Sequence, residues 1–330
     1  MDLFQAISDG IRAALGVPAA AYALAAVGLN VHFGYTGLLN FGHVGFMLVG
    51  AYGTAITAGT YGWPYPAAFL VGVLAAVLLG LLFGLPTLRL RADYLAIVTI
   101  SIAEMLRLVV RSRTVEGVSG GPQGIQGFAD WFYDLNPFSE GRSGIGDITF
   151  SSRQLWVMTF GWAMVLLASL LVHLLMRSPW GRVLRAIRED EDAARSLGKP
   201  VFTYKLQSLV LGGVFGGLAG ILIATDSQYA DPELWRAAVT FAIYTVVILG
   251  GPGRVLGPIV GAMLFWFVLQ TLDTLLRQGI TEGSWAGGII DPTQIGAIRF
   301  ALVGLALMLL MIFRPQGILG NRQEALVGER

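Results

Sequence analysis

Glu104 is the residue whose type and position most invite a chemical reading. It lies in the middle of the apolar run DYLAIVTISIAEMLRLVV, with Arg107 and Arg111 one and two turns further along the same helical face. A carboxylate at membrane depth is costly unless it meets a partner or a polar path. Two roles therefore stand side by side: an internal ion pair with those arginines, or contact with a transported solute. Neither needs proton transfer, since a pump requires a relay of buried ionisable groups and this chain has too few. His32, His43 and His173 sit on apolar segments without a shared ligand spacing, and there is no cysteine. Metal, thiolate and disulfide chemistry are thus not expected. His43 alone stands in a polar setting, among Asn40, Gly42 and Gly45. If the helix is interrupted near Gly34–Gly42, freed backbone groups together with Asn30, Asn40 and His43 line a polar pathway.

Other chemistry is excluded more simply. The pair Gly198-Lys199 precedes Pro200 and lacks an upstream glycine loop, so the chain does not cradle ATP. The glycines of Gly250–Gly257 follow an apolar helix rather than a strand, which argues against a dinucleotide site. No His/Asp/Glu group stands at catalytic spacing, so no catalytic residue, metal or bound cofactor is assigned. A net charge of +1 offers nothing to nucleic acid.

The elements that hold these residues are membrane helices. Mean hydropathy is +0.67, with 55% apolar and 13% charged residues, and Ala13–Leu88 contains no Lys, Arg, Asp or Glu. A hydrocarbon core about 30 Å thick needs roughly 20 apolar residues per helix. About nine (8–10) crossings are expected: Gly16–Phe33, Gly37–Gly59, Trp63–Leu85, Tyr94–Val110, Leu155–Met176, Leu206–Thr225, Ala237–Gly250, Val255–Leu272 and Phe300–Phe313. The fold class is an all-α polytopic bundle, one membrane domain over residues 1–330. Met1–Arg12 lacks a basic region and a cleavage site, so the first crossing is expected to act as its own insertion signal.

Loop charge orients the bundle. Ser112–Ser152 carries two Lys/Arg and five Asp/Glu, whereas the shorter Arg177–Lys205 carries seven and four. The positive-inside rule makes Arg177–Lys205 cytoplasmic and Ser112–Ser152 external. Alternation then places Arg89, Arg91, Arg254 and the tail Arg314–Arg330 inside, and Gln278–Gln294 and the N-terminus outside. In the external loop Trp131, Phe132 and Tyr133 are placed like an interfacial anchor. Gly120, Gly121 and Gly124 permit a compact turn that either gates the outer mouth or meets a soluble protein; an ordinary turn is the alternative. Glycines four apart, Gly212, Gly216 and Gly220 above all, predict close helix packing.

The cytoplasmic island is the second candidate site. Ser178-Pro179 predicts a helix start, with Ser as N-cap and Pro at the first position, and Val183, Leu184 and Ile187 on one face. A second short helix runs from about Asp190, with Ala193, Ala194 and Leu197 on its apolar side, ended by Gly198 and Pro200. Such a helix either docks into a groove on a soluble partner or is a solvated connector. Asp192-Ala193-Ala194, three residues, then Gly198 resembles the EAA loop of ABC importer permeases. It has Asp192 in place of Glu and lacks the Ile-x-Leu-Pro ending.

The wider run from Gly181-Arg182 through Ala186-Ile187-Arg188-Glu189-Asp190-Glu191 to Leu197-Gly198 resembles the branched-chain amino acid permease family, LivM type. Further similar motifs are Gly28-Leu29-Asn30, Gly34-Tyr35-Thr36-Gly37, Gly42-His43, Gly120-Gly121-Pro122-Gln123-Gly124-Ile125, Gly250-Gly251-Pro252-Gly253, Gly257-Pro258, Gly261-Ala262 and Phe313-Arg314-Pro315-Gln316-Gly317. They span about residues 20–320. The resemblance implies a permease subunit in a bacterial plasma membrane, importing Leu, Ile or Val. Its partners would be a homologous second permease, two ATPase subunits that hold ATP and Mg, and an external substrate-binding protein. It places Arg185, Arg188, Asp192, Ala193, Ala194 and Gly198 at the ATPase contact. Relatives that carry urea, short amides or other amino acids leave the solute open, and an autonomous carrier or channel is the rival class.

Overall fold

The computed structural model describes residues 3–139, 141–145, 148–281, 295–313 and 316–320. The expected Gln278–Gln294 connection beyond Thr281, the pair Arg314-Pro315 and the end of the tail lie outside them. The chain is an all-α membrane protein, with 80% of the described residues helical. Its helices are α1 (Leu3–Leu15), α2 (Val17–Leu29), α3 (His43–Ala55), α4 (Tyr65–Thr87), α5 (Ala92–Arg111), the short α6 (Glu116–Ser119) and α7 (Asp130–Asp134), α8 (Ser152–Arg177), α9 (Pro179–Glu189), α10 (Glu191–Ser196), α11 (Val201–Ser227), α12 (Ala237–Gly250), α13 (Gly257–Thr281) and α14 (Ile295–Phe313). Among the described residues, five helices are long and apolar enough to cross a membrane on those grounds alone: Val17–Tyr35, Tyr65–Thr87, Ser152–Arg177, Val201–Ser227 and Gly257–Gly279.

Two elements differ from expectation. Ahead of the first expected crossing at Gly16, α1 runs through Leu3–Leu15, placing Ala6, Gly10 and Ala14 inward and Leu3, Phe4 and Ile7 outward. It lies along α13, fixed by Thr274 Oγ1 donating to Asp9 at 3.2 Å. The second difference is local strand. β1 (Ile125–Gln126) pairs antiparallel with β4 (Tyr229–Ala230), and β2 (Arg142–Ile145) with β3 (Ile148–Ser151). The β2–β3 ribbon closes the long loop on itself, whereas β1–β4 ties that loop to the connection between α11 and α12. Ser151 and Gln154 then form a reciprocal capping box that starts α8.

The core is centred on α2, whose residues are almost all buried, with α11 packed against α2, α3 and α4. Glycine makes that approach possible. A side chain at Gly28 would strike the carbonyl of Gly212, one at Gly50 that of Gly217, and one at Gly220 that of Met47. Gly212, Gly216 and Gly220 are therefore the stripe through which α11 touches its neighbours, as their spacing predicts. In hydrocarbon such contact is dispersion at short range rather than hydrophobic burial.

The expected interruption is also present. After Leu29 the helix widens into a π turn over Asn30–Tyr35, and regular helix resumes only at His43. Gly37 there has φ +74°.

Candidate functional site

Side chains make good the backbone bonds lost at this break. Thr36 Oγ1 donates to the Val31 carbonyl at 2.8 Å and shares a 2.7 Å bond with Ser208. Asn40 Oδ1 accepts from Gly42 N at 3.1 Å, while its Nδ2 lies 3.2 Å from His32 Nδ1. His32 Nε2 is 3.1 Å from the Leu209 carbonyl and His43 Nε2 is 3.0 Å from that of Ala25. Asn30 reaches across the fold, accepting from Gly253 N at 2.8 Å and donating to the Arg254 carbonyl at 2.9 Å. All of these side chains are buried. Asn30, Asn40 and His43 thus brace a broken helix, with His43 Nδ1 left buried and without a hydrogen-bond partner among the described residues. His32, set aside as a lone histidine, is an equal member of this network; its spacing of eight from Asn40 across a break carried no recognisable signal.

The same end of the bundle gathers the glycine motifs. Gly251 (φ +105°) and Gly253 (φ +75°) turn the chain between α12 and α13. Gln316–Gly320 returns to it, with Ile318 N and Leu319 N donating to the carbonyls of Leu249 and Gly250 at 3.0 and 3.1 Å. Arg188 donates to the Gly34 carbonyl, and Arg185 to that of Met176 at 3.0 Å. The charged island is therefore bolted to the interrupted α2.

The island has the two helices its caps foretold, with one change. Ser178 occupies the N-cap position of α9, but its hydroxyl turns back to the Leu175 carbonyl at 2.6 Å and closes α8 instead. Gly181, Leu184 and Ile187 form the buried face of α9. Asp190 caps α10, its Oδ1 accepting from the amides of Asp192 and Ala193 at 2.9 Å each. At the other end Gly198 N donates to Arg195 O and Lys199 N to Ala194 O, with Gly198 at φ +75°. That is a Schellman turn.

Ala194 is buried against Ile187 and Val201, not presented outward as its sequence position beside Ala193 suggested. Arg195 pairs with Glu191 at 2.9 Å and Asp192 at 2.8 Å, and Lys205 also pairs with Glu191. The exposed tip is Asp192, Ala193, Ser196 and Leu197, the last 79% exposed. Arg185 and Arg188 donate to backbone carbonyls of this chain, and Leu197 is the exposed large apolar residue of the tip.

The third group surrounds Glu104. Arg107 holds it through two bonds, Nη2 to Oε1 at 2.6 Å and Nε to Oε2 at 3.0 Å. Arg107 also donates to Glu233 at 3.0 Å, Arg111 lies 3.2 Å from Glu233, and Arg236 pairs with Glu233 as well. The ion pair expected from sequence is present, but Glu233, 126 residues away, is its missing member. Arg107 is the buried partner, whereas the Glu104 side chain is 41% exposed. It opens onto an otherwise apolar hollow between Ile100, Ser101, Met105 and Leu108.

The loop glycines connect to this network. Gly120, Gly121 and Gly124 have φ of +72°, +55° and +66°. Ser119 Oγ donates to the Val110 carbonyl at 2.7 Å at the end of α5, and Ile125 pairs with Ala230, just before the turn carrying Glu233. Of the aromatic trio, only Trp131 is exposed as an anchor would be. Phe132 is buried beside Trp156, and Tyr133 donates to the Thr225 carbonyl at 2.9 Å. A side chain at Gly124 would strike the Ala230 carbonyl, whereas Gly117 faces open space. Gly124→Val is expected to destabilise the loop by roughly 2 kcal/mol or more and to cut uptake severalfold. Gly117→Val should leave both thermal stability and uptake unchanged.

Over residues 13–314 the chain matches the family model described as branched-chain amino acid transport system, permease component. The chain belongs to that permease family. It is 32% identical over 309 residues to the high-affinity branched-chain amino acid transport system permease protein LivM of Escherichia coli (strain K12), covering 90% of this chain and 67% of that protein. It is 27% identical to the probable branched-chain amino acid transport permease protein LivM of Methanocaldococcus jannaschii, covering 91% of each. It is also 23% identical over 91% of each chain to the permease LivH of the same Escherichia coli strain, described with the same transport system. This permease is a multi-pass membrane protein, and of the motifs that suggested its family from sequence, Asn30, Gly34, Gly253 and Arg188 meet at one place while Gly120–Ile125 lies apart beside Ala230.

Proposed function

We propose that this permease is one of two homologous membrane subunits of an ATP-driven importer of leucine, isoleucine and valine in a bacterial plasma membrane. It works with an external binding protein and two ATPase subunits that carry ATP and Mg. Similarity to both LivM and LivH supports a system with two related permeases. Nine crossings, α2 to α5, α8 and α11 to α14, place the N-terminus outside and Arg177–Lys205 in the cytoplasm, as the seven Lys/Arg of that loop favour.

The observation that carries the reading is the exposed tip of α10. It is rigid, capped at both ends, apolar at Leu197, and joined through α9 and Arg188 to the broken helix at the centre of the fold. An ATPase closing on that tip moves α9 and, through it, the packing of α2 against α11. The substrate path runs along the α5 face bearing Glu104. An ionised carboxylate does not face hydrocarbon at such exposure, so this face meets the second permease and the path lies between them. The external glycine turn is tied to the same network and serves as the outer gate.

Reconstitution of the two permeases, the ATPases and the binding protein in proteoliposomes tests this. ATP-dependent uptake of labelled leucine, competed by isoleucine and valine but not by urea, is expected. Uptake of urea or another solute instead would move the substrate. Uptake by the purified chain alone would replace the importer with a carrier.

A further inference from the structure

At the foot of α4 a groove of about 910 Å³ opens between the α4–α5 turn and α10–α11. Six cations line it: Arg89, Arg91, Arg188, Arg195, Lys199 and Lys205. Two acids, Glu191 and Asp192, stand against them, leaving six minus two, or +4. The acids are consumed by Arg195 and Lys205, and Arg188 is bound to the Gly34 carbonyl. Arg89, Arg91 and Lys199 are exposed and make no ion pair among the described residues; Arg89 rests over the Phe202 ring at 5.9 Å.

One wall continues into the membrane face. Leu70, Leu74, Leu78, Leu82 and Leu85 form an exposed stripe along α4, three or four residues apart, and Arg89 follows Leu85 by one turn. A protein partner seated in the groove has no use for that continuation. A diacyl lipid does, since its chains lie along leucines while its headgroup reaches the first cations beyond the hydrocarbon. Basic pockets between helices near the cytoplasmic surface suit anionic headgroups.

We propose that this groove binds the phosphate headgroup of an anionic phospholipid, with Arg89, Arg91 and Lys199 as its ligands and the α4 leucine stripe as the bed for its acyl chains. The site depends on the importer reading only for the leaflet it faces. Bound there, the lipid lies beside α10, whose Glu191 and Asp192 are already paired with Arg195 and Lys205, and braces it from the membrane side.

Native mass spectrometry of the full chain in micelles doped with phosphatidylglycerol or phosphatidylcholine tests the proposal without any transport assay. The wild type should retain phosphatidylglycerol preferentially. Each surface cation near a membrane contributes about fivefold, so Lys199→Gln should weaken retention about fivefold and the triple Arg89→Gln, Arg91→Gln, Lys199→Gln variant roughly a hundredfold. Arg153→Gln, near the other end of the bundle, should change nothing. Lys199→Gln is exposed and keeps the test valid if the triple variant fails to fold. Equal retention of the two lipids, unchanged retention in the variants, or displacement by inorganic phosphate as readily as by lipid would overturn it. So would a triple variant that keeps phosphatidylglycerol but loses a co-purifying ATPase.

Discussion

Arg107→Met should abolish most of the assembled permease, whereas Glu104→Gln should assemble nearly as the wild type does. Arg107 is the buried member of the network, and it alone faces both Glu104 and Glu233. Removing it leaves Glu104 without its partner and Glu233 with fewer, both partly exposed, so the loss is set by the charged hydrogen bonds at roughly 2–3 kcal/mol. Glutamine at 104 keeps an acceptor for Arg107, which retains Glu233, so about 1 kcal/mol is at stake. Size-exclusion yield and detergent melting read the first effect. Uptake reads the second: if Glu104 lines the path, Glu104→Gln transports severalfold less at normal yield. Full transport at normal yield would reduce Glu104 to a structural ion.

Leu197→Glu is expected to fold normally and yet lose more than tenfold of ATP-driven uptake. The side chain is 79% exposed, so its replacement removes little from this chain's own packing. In a docked complex the new carboxylate would be buried against an apolar cleft without a counter-charge. Ala194→Trp is a poorer probe, because Ala194 packs on Ile187 and Val201 and its enlargement breaks the lobe itself. Gly198→Val forces a β-branched residue to φ +75° at a cost of roughly 1–2 kcal/mol, while Gly198→Asn, which tolerates that conformation, should retain coupling. The contrast separates loss of the turn from loss of the contact surface.

What was legible in the sequence was local or periodic. Pro179, Asp190, Gly198 and Pro200 act within a few residues of themselves, so the limits of α9 and α10 followed from chain chemistry. Glycine spacing four apart located the tight face of α11 for the same reason. The inward turn of Ala194 was not legible, because a helix of six residues has too few turns to define a face. Glu233 was hidden by its separation from Arg107, since no periodicity links positions so far apart. The amphipathic repeat of Leu3–Leu15 was present, but at 13 residues it is too short for a crossing and so was not counted among the apolar segments. Asn30, Asn40 and His43 were legible as polar residues at a helix break, but their partners Gly253, Arg254, His32 and Ala25 were not, because no spacing links positions across that break.

The chain contains no cysteine, so a single introduced thiol reports one position without background. Leu197→Cys, treated in inside-out vesicles with a short bifunctional reagent in the presence of the ATPase subunits, measures the central claim directly. The expected result is one cross-linked species containing this permease and an ATPase subunit. Its formation should depend on the nucleotide state and stop uptake, and in intact cells the same thiol should be inaccessible to impermeant reagents. Labelling in intact cells, or an accessible cytoplasmic thiol that never cross-links to the ATPase in an actively transporting complex, would contradict the assignment of α10 as the coupling element.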